Sequence, residues 1–292
     1  MPESNPIPLH QAQEGFIQDL RTKNRATATI LAYGKDIEQL IEFLEKMEVS
    51  SVDAVSQEQI KAFTDNLSKL NYTAKSISRK INSIKSFFRF LRDKEYTEAN
   101  PAANIAHPRY DVKPPRVLSK MEYRALRDAC RTDARISAII ELLLQTGIRI
   151  GELANLKLDD INLEKSILAV RAYESHGPRT IPLTKAARKS LANYIEERPK
   201  TRDKTLFVTK TGRPFLVRNI RAAIDRYFKI AGIQNARVND LRHTFIAQQL
   251  IAGTPLVYIS KLAGHKRLST TEKYLKVTDE KMEKDEVKLE EL

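Results

Sequence analysis

The segment of residues 239–274 decides the fold of its half of the chain and points to the chemistry. It reads NDLRHTF at residues 239–245, LAGH at residues 262–265 and TTEKY at residues 270–274. Its basic and phenolic side chains recur at helical spacing. An arginine guanidinium matches the oxygens of a phosphate, a histidine can donate to one of them, and a tyrosine phenol can act as a covalent nucleophile. The segment therefore predicts a site for a phosphodiester.

A second motif lies upstream, in the sequence QTGIRIGEL at residues 145–153. A glycine turn follows an apolar helix there and presents Arg149 at the start of the next helix. The order of the motifs TGIR, LRH and LAGH, with a tyrosine nine residues after the last of them, resembles the tyrosine recombinase (phage integrase) family and its Xer branch. The resemblance covers nearly the whole chain, because residues 10–105 resemble the family's N-terminal core-binding domain.

The composition favours a nucleic-acid partner. Lysine and arginine together number 50 against 37 aspartates and glutamates, which gives a net charge of +13. This excess is typical of proteins that bind a polyanion, although a soluble basic protein without such a partner would share it. With 292 residues the chain is long enough for two domains, each with its own core.

The composition also disfavours several other classes of protein. Cys130 is the only cysteine, so neither an intrachain disulfide nor a cysteine-rich zinc site is possible. The first six residues lack the basic and apolar regions of a signal peptide, and no apolar run approaches the roughly 20 residues that span a bilayer. We therefore expect a cytoplasmic protein with no membrane partner.

Apolar periodicity predicts a helical domain over residues 1–106 and a linker over residues 107–117. Apolar side chains recur at helical period in four stretches, which are residues 10–22, 27–47, 56–70 and 73–92. Four such helices are enough for a compact bundle. The linker is basic and rich in proline and has no apolar periodicity, which is typical of a stiff connection between domains.

A second domain is predicted over residues 118–276, followed by a tail over residues 277–292. Most of this domain has helical periodicity, but two β-like runs, at residues 166–173 and 179–183, flank a hairpin turn. The predicted fold class is mainly α, with a helical core-binding domain and an α+β catalytic domain that contains a small antiparallel sheet. The tail has too few apolar residues to fold alone. The resemblance implies that it docks on a neighbouring protomer.

The fourth predicted helix carries an unbroken basic face. It includes Lys75, Arg79, Lys80 and Lys85. A solvated face usually mixes charges of both signs, whereas this helix has no acidic residue before Asp93, so the pattern favours contact with DNA over simple solvation. The resemblance implies the same, because the family's core-binding helix enters the major groove. Arg179, next to the hairpin turn, is a further predicted DNA contact.

The resemblance also implies roles in the site. Arg149 and Arg242 match the arginines that clamp the scissile phosphate, and His265 matches the residue that donates to a non-bridging oxygen. Tyr274 matches the family nucleophile, which forms a 3′-phosphotyrosine bond and frees a 5′-hydroxyl without a metal or a cofactor.

Two neighbours of these residues are predicted to support the site. Glu152 lies one helical turn after Arg149 and is expected to orient it. His243 directly follows Arg242 and is expected to have a supporting role rather than a catalytic one.

Two positions depart from the family pattern. Asn239 stands where the family usually has a histidine; an asparagine can donate to a phosphate but cannot relay a proton at neutral pH. Glu174 stands where the family's hairpin carries a lysine that acts as general acid, and the turn contains no lysine. His176 is the titratable cation of this turn, so it either replaces that acid or only caps an exposed turn.

The predicted function is site-specific recombination of double-stranded DNA, in integration, excision or resolution. The resemblance implies target sites with inverted-repeat half-sites, a dimer of the protein on each site and a tetramer in the synapse. Two alternatives stand beside it. A type IB topoisomerase would use the same chemistry, and a cleavage-impaired architectural or regulatory DNA-binding protein would keep only the binding.

Overall fold

The computed structural model describes residues 6–111 and 113–277. The chain divides into two compact units, Met1–Val112 and Lys113–Leu292, each with a hydrophobic core of its own. We call them the N-terminal unit and the C-terminal unit. The predicted tail lies outside the described residues apart from Val277.

Four α-helices form the N-terminal unit. They are α1 (Leu9–Thr22), α2 (Thr27–Glu45), α3 (Gln57–Lys69) and α4 (Ala74–Asp93). Polar side chains fix two of the helix starts: Ser56 and Gln59 form a reciprocal capping box at α3, and the Thr73 hydroxyl accepts from the Ser76 amide at α4. The largest side chains of the core are phenylalanines. They are Phe16, Phe63, Phe87 and Phe88.

The C-terminal unit combines eight helices with one small sheet among the residues that the structure describes. Its helices are α5 (Lys120–Ala129), α6 (Ala134–Thr146), α7 (Ile150–Ala154), α8 (Lys185–Glu197), α9 (Val217–Ile230), α10 (Val238–Ile251), α11 (Leu256–Ala263) and α12 (Ser269–Glu272). Its strands are β1 (Ile161–Asn162), β2 (Ile167–Val170) and β3 (Arg179–Pro182). The predicted fold class, mainly helical with a small antiparallel sheet, is confirmed.

The sheet is antiparallel throughout, in the order β1-β2-β3. Leu168 pairs with Ile181 across the β2–β3 hairpin, and both side chains are buried, so the inner face of the sheet joins the core. The hairpin turn between the two strands carries His176. The sequence did not predict β1, because two residues are too few to show alternation.

The end of α6 sets the position of the first arginine. Gly147 has the left-handed φ of +60°, which a glycine adopts without strain. A Cβ there would lie 2.3 Å from the ring of Phe245, so the missing side chain also lets α10 pack across this turn. Arg149 follows as the N-cap of α7, and Arg242 of α10 donates to the Gly147 carbonyl. The turn thus brings two distant arginines together.

None of the helices that the structure describes has the length and apolarity needed to cross a membrane.

Candidate active site

Three arginines converge on the carboxyl end of α11. Arg179 Nε donates to the Leu262 carbonyl at 2.6 Å, Arg242 Nη2 to the Ala263 carbonyl at 2.7 Å, and Arg149 Nη2 to the Gly264 carbonyl at 2.8 Å. The last carbonyls of a helix have no partner within it and form the negative end of its dipole. They can therefore hold three like-charged guanidinium groups in one place.

Gly264 is required at this position for two reasons. Its φ of +66° lies in the left-handed region that ends α11. A Cβ would also lie 2.9 Å from Arg179 Nη1 and 3.2 Å from Arg149 Nη1, closer than ordinary contact. The glycine of the LAGH motif therefore makes room for the arginines.

Glu152 supplies the negative charge among these arginines. Its carboxylate accepts from Arg179 Nη1 and Nη2 at 2.8 and 2.7 Å, and from Arg149 Nη1 at 3.1 Å. Burial alone would raise the pKa of Glu152, but the ion pair with Arg179 and the bonds from Arg149 lower it to about 2. The group is therefore a carboxylate at neutral pH. It bonds to Arg149, although Arg179 is its main partner.

The cluster carries more positive charge than negative charge. Among the described residues, the carboxylate of Glu152 pairs with Arg149 and Arg179, whereas Arg242 donates to the carbonyls of Gly147 and Ala263. Burial, strengthened by the charge of Arg149, lowers the pKa of Arg242 to about 9. Burial also lowers the pKa of Arg149. An excess of buried positive charge is the electrostatic requirement for binding an anion such as a phosphate.

His265 lies within the field of this cluster. Burial, then the charges of Arg242 and Arg149, lower its pKa to about 4, so the ring is neutral near pH 7. Its Nδ1 lies 2.7 Å from the hydroxyl of the fully buried Thr271. If the hydroxyl donates to Nδ1, the single ring proton is on Nε2, where it can be donated to a phosphate oxygen. Nothing in the sequence distinguishes Thr271 from the other polar residues before Tyr274.

Tyr274 is buried beside α10, the helix that carries Arg242, and 5% of its surface is exposed. Burial raises its pKa, and the positive charge of Arg242 opposes the shift. The ring packs edge to face against His243, with centroids 5.7 Å apart. The Nδ1 of His243 forms no hydrogen bond with any described residue and lies 3.9 Å from an Asp240 oxygen. His243 therefore contacts the tyrosine itself.

The hairpin brings His176 towards the arginines. Its backbone is hydrogen-bonded in both directions to Tyr173, whose ring packs where a Cβ of Gly151 would lie, 2.7 Å away. Burial and the charge of Arg149 lower the pKa of His176. Its Nδ1 is buried without a hydrogen-bond partner among the described residues. An unpartnered buried nitrogen beside a cationic cluster suits a group that meets its partner only when substrate is bound.

Two predicted DNA contacts are corrected. Arg179 has a side chain only 10% exposed, and its guanidinium is occupied by Glu152 and by the Leu262 carbonyl. It is a structural member of the cluster. Lys80 is also buried, because its ammonium donates to Asp36 and Gln39 of α2. The neighbouring helix supplies an acid that the sequence of α4 does not show.

The other predicted residues are exposed to different degrees. Lys75 and Arg79 are exposed on α4 and Lys85 is half-buried. Asn239 is exposed in the first turn of α10, and its side chain forms no hydrogen bond among the described residues. Within residues 6–111 and 113–277, no group of histidine, cysteine and carboxylate side chains is arranged to hold a metal ion.

Comparison with known families assigns both parts of the chain. Residues 116–281 match the phage integrase family, and residues 14–95 match the N-terminal SAM-like domain of phage integrases. Tyrosine recombinase XerC of Staphylococcus carnosus is 29% identical over 285 residues, which cover 94% of this chain and 96% of XerC. Tyrosine recombinase XerD of Rickettsia bellii is 31% identical over 266 residues, which cover 84% of this chain and 87% of XerD.

Solved structures show the same architecture. The crystal structure of XerA recombinase aligns with a TM-score of 0.56 at 26% identity and covers 96% of this chain and all of XerA. A lambda integrase dimer bound to a COC′ core site aligns with a TM-score of 0.73 at 18% identity, over 90% of this chain and 97% of the integrase. At that identity the likeness to lambda integrase supports the fold alone.

The chain belongs to the phage integrase family and is a tyrosine-type site-specific recombinase that binds DNA. The alternative of a cleavage-impaired architectural protein is not favoured.

Proposed function

We propose that Tyr274 attacks a scissile phosphate bound by Arg149, Arg242 and His265. The phenol oxygen forms a bond to phosphorus while the bond from phosphorus to the 5′ oxygen breaks, which leaves a 3′-phosphotyrosine and a 5′-hydroxyl. The reverse attack by a 5′-hydroxyl of another strand releases the tyrosine and joins the new strands. The bond energy is kept in the phosphotyrosine throughout, so the reaction needs no high-energy cofactor.

One observation carries this proposal: the guanidinium groups of Arg149 and Arg242 share the carbonyl of Ala263, and Tyr274 lies within the field of Arg242. Charge on the phosphate oxygens grows in the transition state, and donors already in place stabilise it without reorganisation. The phenol must also lose its proton to attack. The charge of Arg242 lowers the cost of the phenolate, against the opposing effect of burial.

Covalent trapping tests the proposal directly. We would use a duplex target with a nick next to the cleavage point, so that the short 5′-hydroxyl fragment diffuses away and the adduct accumulates. Tyr274→Phe should form no adduct and should keep its DNA affinity within a few fold, because binding energy is spread over many phosphate contacts. Tyr258→Phe is the matched control, since Tyr258 is 49% exposed on α11. An adduct formed by Tyr274→Phe would remove Tyr274 from this role.

The general acid for the 5′ oxygen is proposed to be His176. Its support is the position of the hairpin beside Arg149 and the absence of lysine from the turn. The lowered pKa leaves free His176 neutral near pH 7, but a bound phosphate would raise its pKa by adding negative charge close to the ring. Lys266 is the runner-up, because it is exposed next to His265 and its charge acts on His176.

The N-terminal unit is proposed to contact DNA through α4, with Lys75, Arg79 and Lys85 facing the duplex. These side chains keep some exposure, whereas Lys80 does not. We propose the domain limits 1–106, 107–117, 118–276 and 277–292, with a proline-rich linker between the two domains. The target would be a pair of inverted-repeat half-sites in cytoplasmic DNA.

Assembly on DNA is proposed to be a dimer on each site and a tetramer in the synapse, with the tail of residues 277–292 docked on a neighbouring protomer. A chain truncated after Thr278 should bind a half-site as well as the full chain and lose cooperative binding to a complete site. Equal cooperativity in the truncated chain would place the assembly contacts elsewhere. The biological task is proposed to be integration, excision or resolution, including that of a mobile element.

A further inference from the structure

Asp36 of α2 lies at the centre of a buried polar cluster in the N-terminal unit. Only 1% of its surface is exposed. Its carboxylate accepts from Arg79 Nη1, from Lys80 Nζ at 2.9 Å and from the Ser83 hydroxyl at 2.6 Å. All three donors belong to α4, the helix proposed to contact DNA. One carboxylate therefore binds three polar side chains that lie within little more than one turn of that helix.

Lys80 is the internal counterion of this cluster. Its ammonium also donates to Gln39 Oε1 at 2.7 Å and lies 5.4 Å from the centre of the Tyr72 ring. Its side chain is 6% exposed, so it does not reach solvent or DNA. Because Lys80 and Ser83 also bond to Asp36, the carboxylate has a buried counterion in addition to Arg79. A buried carboxylate left without a cation would be strongly destabilising.

Arg79 is the exposed member of the cluster. Its side chain is 47% exposed, and its described hydrogen bond to Asp36 uses only Nη1. The Nη2 and Nε donors form no hydrogen bond among the described residues. One nitrogen of the planar guanidinium is thus bonded to the protein, while Nε and Nη2 remain available as donors on a half-exposed side chain.

We propose that Asp36 is a positioning residue that presets Arg79 to read the edge of a guanine. This inference rests on the proposed DNA contact of α4. A phosphate accepts from a cation in many orientations, whereas guanine N7 and O6 require two aligned donors. A guanidinium that is oriented before binding loses less side-chain entropy when DNA binds. This saving matters most for a contact to a guanine edge, because that contact requires aligned donors. A carboxylate beside the arginine also weakens its attraction for a phosphate more than for an uncharged base edge.

The experiment is selection of binding sites from random duplex DNA, followed by affinity measurements on single-base variants. Arg79→Lys keeps the charge and removes the planar fork. We expect it to lose discrimination for guanine at one position in each half-site by roughly 5- to 150-fold, with the salt dependence of binding unchanged. Arg21→Lys, at an exposed position of α1 in the same unit, is the matched control and should keep the full preference.

A second variant tests Asp36 without changing Arg79. The double change Asp36→Asn with Lys80→Gln removes both charges of the buried pair together, so no buried charge is left unpaired. It should relax the same base position as Arg79→Lys, and its thermal unfolding should remain cooperative. A double variant that does not fold leaves the decision to Arg79→Lys, which does not alter the buried pair.

Two results would overturn the inference. An unchanged base preference in Arg79→Lys would show that Arg79 does not read a base. A loss of affinity in Arg79→Ala that is equal for all sequences, with a salt slope reduced by roughly one, would make Arg79 a phosphate contact. If the unaltered protein selected no sequence at all, the proposed DNA contact would fail, and that outcome is distinguishable from both.

Discussion

Arg179 of β3 and Glu152 of α7 form a two-pronged ion pair, with nitrogen to oxygen distances of 2.8 and 2.7 Å. The pair ties the second strand of the hairpin to the short helix that Arg149 caps. Arg149 shares the same carboxylate at 3.1 Å. Glu152 therefore contacts both the hairpin that carries His176 and Arg149, which is proposed to bind the phosphate.

Glu152→Gln should lower the free energy of unfolding by about 3–5 kcal/mol, because it leaves Arg179 buried without its counterion. Cleavage should fall as well, since Arg149 loses a partner that orients it. Urea unfolding and covalent trapping would measure the two effects. Glu122→Gln is the matched control: its partner Arg116 is about one-third exposed, and the change should cost below about 1 kcal/mol. Equal losses in both variants would contradict this role of Glu152.

The same carboxylate should produce an acid-sensitive component of stability. The pKa of Glu152 is about 2 in the folded protein against an ordinary 4.5, so its stabilising effect is complete above about pH 4.5. It is lost as the pH falls from there towards 2 and amounts to roughly 3 kcal/mol. The difference in stability between the native chain and Glu152→Gln should therefore shrink over that pH range. A constant difference would mean that another group titrates there.

Thr271→Val should slow cleavage by roughly 10- to 100-fold with little change in DNA affinity, because the His265 ring loses the partner of its Nδ1. Thr271→Ser keeps the hydroxyl and should retain most of the rate. Because the pKa of His265 is about 4, the cleavage rates of the two Thr271 variants should show no titration of this ring in the free enzyme above about pH 5. A Val variant as fast as the Ser variant would show that the hydroxyl is not needed.

If the His176 ring protonates the 5′ oxygen, His176→Ala should slow cleavage by a factor on the order of 10²–10⁴. The rate should recover on a substrate whose bridging 5′ oxygen is replaced by sulfur, because a thiolate leaves without a proton. His176→Lys should keep activity and move the alkaline limb of the pH–rate profile upwards. Lys266→Ala is tested in parallel on both substrates. Rescue of Lys266→Ala alone by sulfur would transfer the role to that lysine.

Lys75→Ala and Lys85→Ala should each reduce the salt dependence of DNA binding by roughly one unit of slope, as expected for loss of a phosphate contact. Lys80→Met should leave the slope unchanged and lower stability instead, because Lys80 is the buried partner of Asp36. Titration of binding against salt concentration separates the two effects. A reduced slope in Lys80→Met would mean that its ammonium leaves the cluster to bind DNA.

The sequence predicted the helices well where a single periodic face decides them. The fourth predicted helix, residues 73–92, is α4 at Ala74–Asp93, and reciprocal capping boxes begin α3 at Ser56 and α5 at Ser119. It could not predict which charges pair across elements. Asp36 lies 44 positions before Lys80, and Glu152 lies 27 before Arg179, so no local spacing joins them.

The same limit applies to the motifs of the site. Their order along the chain indicated the family, but it contained no information about which carbonyl each arginine meets. That assignment depends on the turn after α11, where three separate segments reach one helix end.

The arginines at the end of α11 have a thermodynamic consequence for the free protein. Burial and their mutual repulsion are offset only in part by Glu152, which leaves an electrostatic cost that folding must overcome. A phosphate placed among them would act as the missing counterion. DNA would then stabilise the folded C-terminal unit as well as serve as the substrate. Because DNA binding and folding are thermodynamically linked, each makes the other more favourable.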